Sequence, residues 1–134
     1  MSFIEIESTE LVGVMLIDEQ HQELAESINS IYESVLLVNK DLTTLRLKDF
    51  IQALKNHFDT EEKLMKDVKY PGYISHKLEH DRFYTQMSLT EAEYAEGLVN
   101  FGTENLRRVR QWFFNHIEIN DKVCGKYILT VGNH

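Results

Sequence analysis

The chain has 134 residues, a formal net charge of -8 and 43% hydrophobic residues, enough apolar content for one domain with a real core. The acidic balance argues against partners such as the nucleic-acid backbone or an anionic membrane surface, and no apolar run is long enough to span a bilayer. Cys124 is the only cysteine, so no internal disulfide can form, and the acidic start from Met1 to Glu7 lacks the basic residues of a signal peptide; a cytoplasmic protein with a single domain over residues 1–134 is expected.

Apolar residues recurring at steps of three and four predict four helices. The first runs from about Asp18, a plausible N-cap, to Val38, with Leu24, Ile28, Ile31 and Val35 in one stripe. The second runs from about Leu42 to Val68 through Leu47, Phe50, Leu54 and Phe58, and ends at the turn signal Lys69-Tyr70-Pro71-Gly72. The third covers about Tyr73 to Glu96, with Phe83, Met87 and Tyr94, and Gly97 marks its C-cap region. The fourth starts near Thr103, as an N-cap, and carries Leu106, Val109, Trp112, Phe113 and Ile117. Lys122 to Leu129 reads as either a short extra helix or a frayed tail. Short connections between long helices favour antiparallel neighbours, so the expected fold is all-α: an up-down-up-down antiparallel four-helix bundle with a short C-terminal extension.

Five of the six histidines fall inside these helices, and each lies on an apolar face. His21 is in line with Leu24 and Ile28, His57 with Leu54 and Phe50, His76 and His80 with Phe83 and Met87, and His116 with Phe113 and Val109. His134 closes the chain and is expected to be solvated. One histidine on an apolar face is usually just a hydrogen-bonded core residue. Five without partners would cost about 1–3 kcal/mol each, heavy against a typical net stability of about 5–15 kcal/mol, so a shared metal centre is the favoured reading.

Glu61 follows His57 by one turn on the same face and joins the set, because acids are rarely buried unless paired or bound to metal. Glu62 is about 100° further round and reads as a surface acid. Asp121 follows His116 by five residues, about 140° away around an ideal helix, so both reach one centre only if the helix is distorted there or the metals lie between their directions. A helix-end turn residue or a partner for Lys122 are alternatives for Asp121. Five nitrogen donors and two carboxylates exceed the four ligands of one zinc and are too nitrogen-rich for calcium or magnesium; they suit two first-row transition ions bridged by carboxylates. Glutamate three residues before histidine, the mark of carboxylate-rich di-iron bundles, is absent.

The series Ile17-Asp18-Glu19-Gln20-His21, His57-x-x-x-Glu61, Tyr70-Pro71 leading to His76-x-x-x-His80, and His116-Ile117-x-x-x-Asp121 resembles the haemerythrin family, especially its bacterial single-domain members, from about Val12 to Gly125. The resemblance implies two iron ions, one held by His76, His80 and His116, the other by His21 and His57. It further implies that Glu61, Asp121 and an oxo or hydroxo group bridge them. The iron with two histidines would keep an open position where dioxygen binds reversibly, so binding is not turnover and the protein is not expected to be an enzyme. Phe58, Trp112 and Phe113 lie beside His57 and His116 in sequence and could wall a dry oxygen pocket, or serve ordinary core packing.

A dioxygen carrier, store or delivery protein is therefore the leading expectation. A sensor that signals ligation or redox change to a separate redox or signalling partner is the second. A di-iron oxidase, peroxidase or nitric oxide reductase is the third, weakened because no acid–base residue outside the ligand set is clearly aimed at the open iron.

Overall fold

A computed structural model describes residues 2–132; the expectation for His134 lies outside them. Four long helices form the bundle: α1 (Met15–Leu36), α2 (Lys40–Asp67), α3 (Tyr73–Ala95) and α4 (Thr103–His116). A five-residue π-turn, Ile117–Asp121, then leads directly into α5 (Lys122–Gly132), so the C-terminal segment is a helix rather than a frayed tail. No strand occurs among the described residues, and none of their helices is long and apolar enough to cross a membrane.

The three helix-to-helix turns share one device. Val38, Lys69 and Gly97 adopt positive φ, and the following N–H closes the helix: Asn39 to the Ser34 carbonyl at 3.1 Å, Tyr70 to Met65 at 2.9 Å, Leu98 to Glu93 at 2.9 Å. This is the Schellman closure, which satisfies orphan carbonyls at a helix end. Only one of the three positions is the glycine that such a backbone favours; the turn at Lys69 is marked instead by the Pro71-Gly72 that follows it.

Helix starts depart from expectation in detail. α1 begins at Met15, and Asp18 is not its N-cap: its carboxylate accepts the backbone N–H groups of Val12, at 2.8 Å, and Gly13, at 3.1 Å. It therefore ties down the leader ahead of the helix. Asn39 caps α2 by accepting the Leu42 N–H at 3.0 Å. α4 is capped at Gly102 instead of Thr103, and Asn105 turns back to accept the Gly102 N–H at 3.0 Å.

The leader itself is packed. Asn29 of α1 accepts from the N–H groups of Phe3 and Ile4 and donates to the Ile4 carbonyl at 2.9 Å, while Arg110 of α4 donates to the Phe3 carbonyl at 2.8 Å. Ile4 and Val12 thereby enter the core. α5 runs so close to the leader that a Cβ at Gly125 would stand 3.0 Å from the Val12 carbonyl oxygen.

Up-down topology sorts the chain along the bundle axis. Early positions of α1 and α3 and late positions of α2 and α4 lie at the same end, which gathers His21, His57, Glu61, His76, His80, His116 and Asp121. The rest of the bundle is filled by Ile28, Ile31, Leu47, Phe50, Met87 and Leu106, all buried. Toward the other end, buried Ser34 and Thr43 satisfy each other at 2.7 Å.

Candidate metal centre

The seven polar side chains sit at the end of the bundle where the sequence gives an otherwise apolar stripe, and none is more than 5% exposed. They converge. Ligand-type atoms of Glu61, His76, His80, His116 and Asp121 lie within 4.8 Å of one another, and so do those of His21, His57, Glu61 and Asp121. The two groups overlap only in the carboxylates.

Each carboxylate divides its oxygens between the groups. Glu61 Oε1 faces His76 Nε2 and, at 3.2 Å, His80 Nε2, whereas Oε2 faces His57 Nε2 at 3.5 Å. Asp121 Oδ1 faces His76 Nε2 at 3.0 Å and His116 Nε2 at 3.1 Å, whereas Oδ2 faces His21 Nε2 at 2.9 Å. One half thus has three imidazoles and one oxygen from each carboxylate; the other has two imidazoles and the remaining oxygens.

Asp121 reaches the centre because the chain between it and His116 is a π-turn. A turn closed by i→i+5 bonds takes in one more residue than an α-turn, so five residues return the side chain to the face that four would reach in an α-helix. This is the helix distortion that the five-residue spacing required.

Two acceptors behind the imidazoles escape sequence reasoning. His57 Nδ1 lies 2.8 Å from Gln20 Oε1, and His80 Nδ1 lies 2.9 Å from Glu62 Oε2. A carboxylate only accepts, so Nδ1 of His80 carries a proton toward Glu62 and Nε2 is the ring nitrogen that faces inward. Gln20 donates its amide N–H to Thr60 Oγ at 3.2 Å, which fixes its oxygen toward His57 with the same result. Glu62 is thus a partly buried partner of the site and not a freely solvated surface acid. Helical spacing could not reveal this, because His80 comes to Glu62 from another helix.

The aromatic residues expected around an oxygen pocket are divided. Phe58 stacks on His80 with centroids 3.9 Å apart, and Trp112 stacks on His116 at 4.6 Å, with Phe83 on the other face of Trp112 at 3.8 Å. Phe113 alone of the three meets His21, edge-on at 5.5 Å, while Phe58 also tilts against His57 at 5.9 Å. A cavity of about 620 Å³ near the α1–α2 and α3–α4 turns contains none of the seven side chains.

The donor set fits a metal cation. His21 Nε2, His76 Nε2, both Glu61 oxygens and Asp121 Oδ1 are buried without a properly aligned hydrogen-bond partner, despite their short mutual distances. Unmade hydrogen bonds of this kind are costly unless the lone pairs meet a cation. Electrostatics agree. Burial opposes charge on His76, but Asp121 and Glu61 overcome it and push its pKa up to about 9. His80 is likewise raised, against burial, by Glu61 and Glu62. Burial drives His57 down to about 4, although Glu61 favours its charged form. Burial also works against ionised Glu61 and Asp121, yet the imidazoles around them hold both carboxyls below their ordinary values. Without metal the two anions therefore draw protons onto His76 and His80, where a metal cation would take their place.

Comparison with known proteins leads the same way. Residues 12–127 match the Hemerythrin HHE cation binding domain family. A bacteriohemerythrin of Methylococcus capsulatus is 27% identical over 108 residues, covering 81% of this chain and 82% of that one. A hemerythrin-like protein of Naegleria gruberi is 30% identical over 115 residues, covering 86% and 85%. The crystal structure of a hemerythrin point mutant superimposes with a TM-score of 0.92 at 25% identity, covering 96% of this chain and 98% of the other.

Proposed function

The chain belongs to the haemerythrin family, and from that premise we propose that its seven buried donors hold two iron ions that bind dioxygen reversibly. The observation that carries this is the sharing of Glu61 and Asp121, and nothing else, between the two donor groups. Carboxylates with one oxygen turned to each group suit a bridged pair of first-row ions, and nitrogen-rich surroundings suit iron better than magnesium or calcium.

His76, His80 and His116 would hold one ion, His21 and His57 the other, with Glu61 and Asp121 on both. Bound there, iron would supply the reversible electron transfer that dioxygen binding requires. The chain's own part is to position and to exclude. Gln20 and Glu62 fix His57 and His80 with Nε2 inward. Glu61 and Asp121 keep both halves at a fixed separation. Having one imidazole fewer, the half of His21 and His57 is where a small ligand would enter. Phe113, edge-on to His21, and Phe58, tilted on His57, are the side chains that would keep water from it; Trp112 instead backs His116. Residues 1–134 would form one domain around this centre, serving to carry, store or deliver oxygen.

The test is an absorption spectrum of anaerobic, iron-loaded protein, then in air, then after oxygen is removed. A visible band that appears with air and disappears on deoxygenation is the expected result. Irreversible conversion in one exposure would favour a redox sensor or an enzyme, and no iron-dependent band would overturn the di-iron reading.

A further inference from the structure

The two halves of the centre differ in the charge behind them. His80, in the three-histidine half, gives its Nδ1 proton to Glu62, an anion, at 2.9 Å. His57, in the two-histidine half, gives its Nδ1 proton to Gln20, a neutral amide, at 2.8 Å. The amide is held by Thr60, which in turn donates to the Asn56 carbonyl at 2.9 Å, so the hydrogen-bonded chain behind His57 is made of neutral groups. Among the described residues, Nδ1 of His21 and Nδ1 of His116 are buried without a hydrogen-bond partner, so neither ring has such a support.

Lys77 offsets little of the Glu62 charge. Its ammonium stands 3.6 Å from Glu62 Oε1 but closer, at 2.9 and 3.0 Å, to both oxygens of Asp81, and its side chain is 40% exposed. Water screens that outer pair, while Glu62, only 12% exposed, acts on His80 through a nearly dry path.

An anionic acceptor makes an imidazole a stronger donor and stabilises the higher charge state of the metal it holds. We infer that Glu62 and Gln20 are positioning residues that make the two halves electronically unequal, so that the three-histidine half loses its electron first and the two-histidine half last. This rests on the di-iron reading. It adds to that reading which half is oxidised first, and it assigns the difference to two side chains that would never touch the metals. A half-oxidised centre would then keep its remaining ferrous ion on the side where dioxygen enters.

The test uses the full chain loaded with iron, with iron counted per chain before anything else is measured. Stepwise oxidation is followed by potentiometric titration and by electron paramagnetic resonance of the half-oxidised form. Glu62→Gln keeps an acceptor for His80 and removes only the charge; the first oxidation step should move to higher potential. Gln20→Glu places a charge behind His57; the second step should move to lower potential. Lys77→Met leaves both hydrogen bonds in place and removes only a screened outer charge, so both steps should stay nearly unmoved; a shift as large as that of Glu62→Gln would defeat the inference. Wild-type protein without two irons defeats the di-iron reading and this inference together. Two irons per chain with both steps unmoved in Glu62→Gln defeats this inference alone. Should Glu62→Gln fail to hold two irons, an unmoved second step in the loaded Gln20→Glu protein defeats it equally.

Discussion

His116 Nε2 lies 3.1 Å from Asp121 Oδ1 although five residues separate them, because the intervening backbone forms a π-turn. An extra residue accommodated in this way can be removed. Deleting Ile119, which is 69% exposed, should restore α-helical spacing and leave Asp121 on the face of His116. Deleting exposed Asp59 between His57 and Glu61 should instead swing Glu61 about 100° out of the centre. Iron per chain after loading and gel filtration separates the two: near two for the first deletion, well below for the second. Equal loss in both would show that the π-turn is not an accommodated insertion.

The shared carboxylates make a graded prediction about metal content. His57→Ala removes a donor from one half only, and Glu61→Ala removes an oxygen from both. Iron should fall below two per chain in each, and further in Glu61→Ala. Full occupancy in both variants would mean that the ligand set is misassigned.

Phe113 combines core packing with its edge contact to His21. Phe113→Ala should cost about 3–5 kcal/mol of stability and hasten irreversible oxidation of the oxygenated protein by admitting water. Phe101→Ala, equally buried but packed on Tyr94 and away from the seven donors, is the control. It should lose comparable stability and oxidise at the wild-type rate. Equal oxidation rates in the two variants, measured well below their melting temperatures, would remove Phe113 from the pocket.

Metal-free protein should be most stable near pH 6.5. His76 has its pKa raised from 6.5 to about 9, so its contribution is complete below 6.5 and is lost as pH rises through about 9. His80 shifts in the same direction. His57 is lowered from 6.5 to about 4, so burying it as a neutral ring costs stability as pH falls from 6.5 toward 4. Asp121, held below 3.8, adds a loss in stronger acid. Thermal melts across this range check the dome. Iron loading displaces the ring protons and should flatten the alkaline limb; a metal-free melting temperature that does not fall between about pH 7 and 9 would contradict the assignment of His76.

The bundle was legible because period and punctuation agree. Leu24, Ile28 and Ile31 mark one face, Tyr70-Pro71-Gly72 ends a helix, and few residues interrupt the long runs. The helix starts were less legible. Asp18 looks like an N-cap by type and position, but the backbone N–H groups of Val12 and Gly13 needed an acceptor and claimed it. Local sequence does not say which of two nearby sets of orphan donors a carboxylate will serve.

By itself the sequence determined that five imidazoles and a glutamate face inward from four helices, and up-down topology then required them to meet at one end. That follows from residue spacing along single helices, where 3.6 residues per turn fixes the face. Tertiary structure decided how they meet: which oxygen of Glu61 and Asp121 faces which half, that a π-turn brings Asp121 in, and that Glu62 stands behind His80 while Gln20 stands behind His57. These depend on the relative rotation and height of neighbouring helices to within a hydrogen-bond length. Packing of the whole core sets that quantity, and no pattern within one helix encodes it.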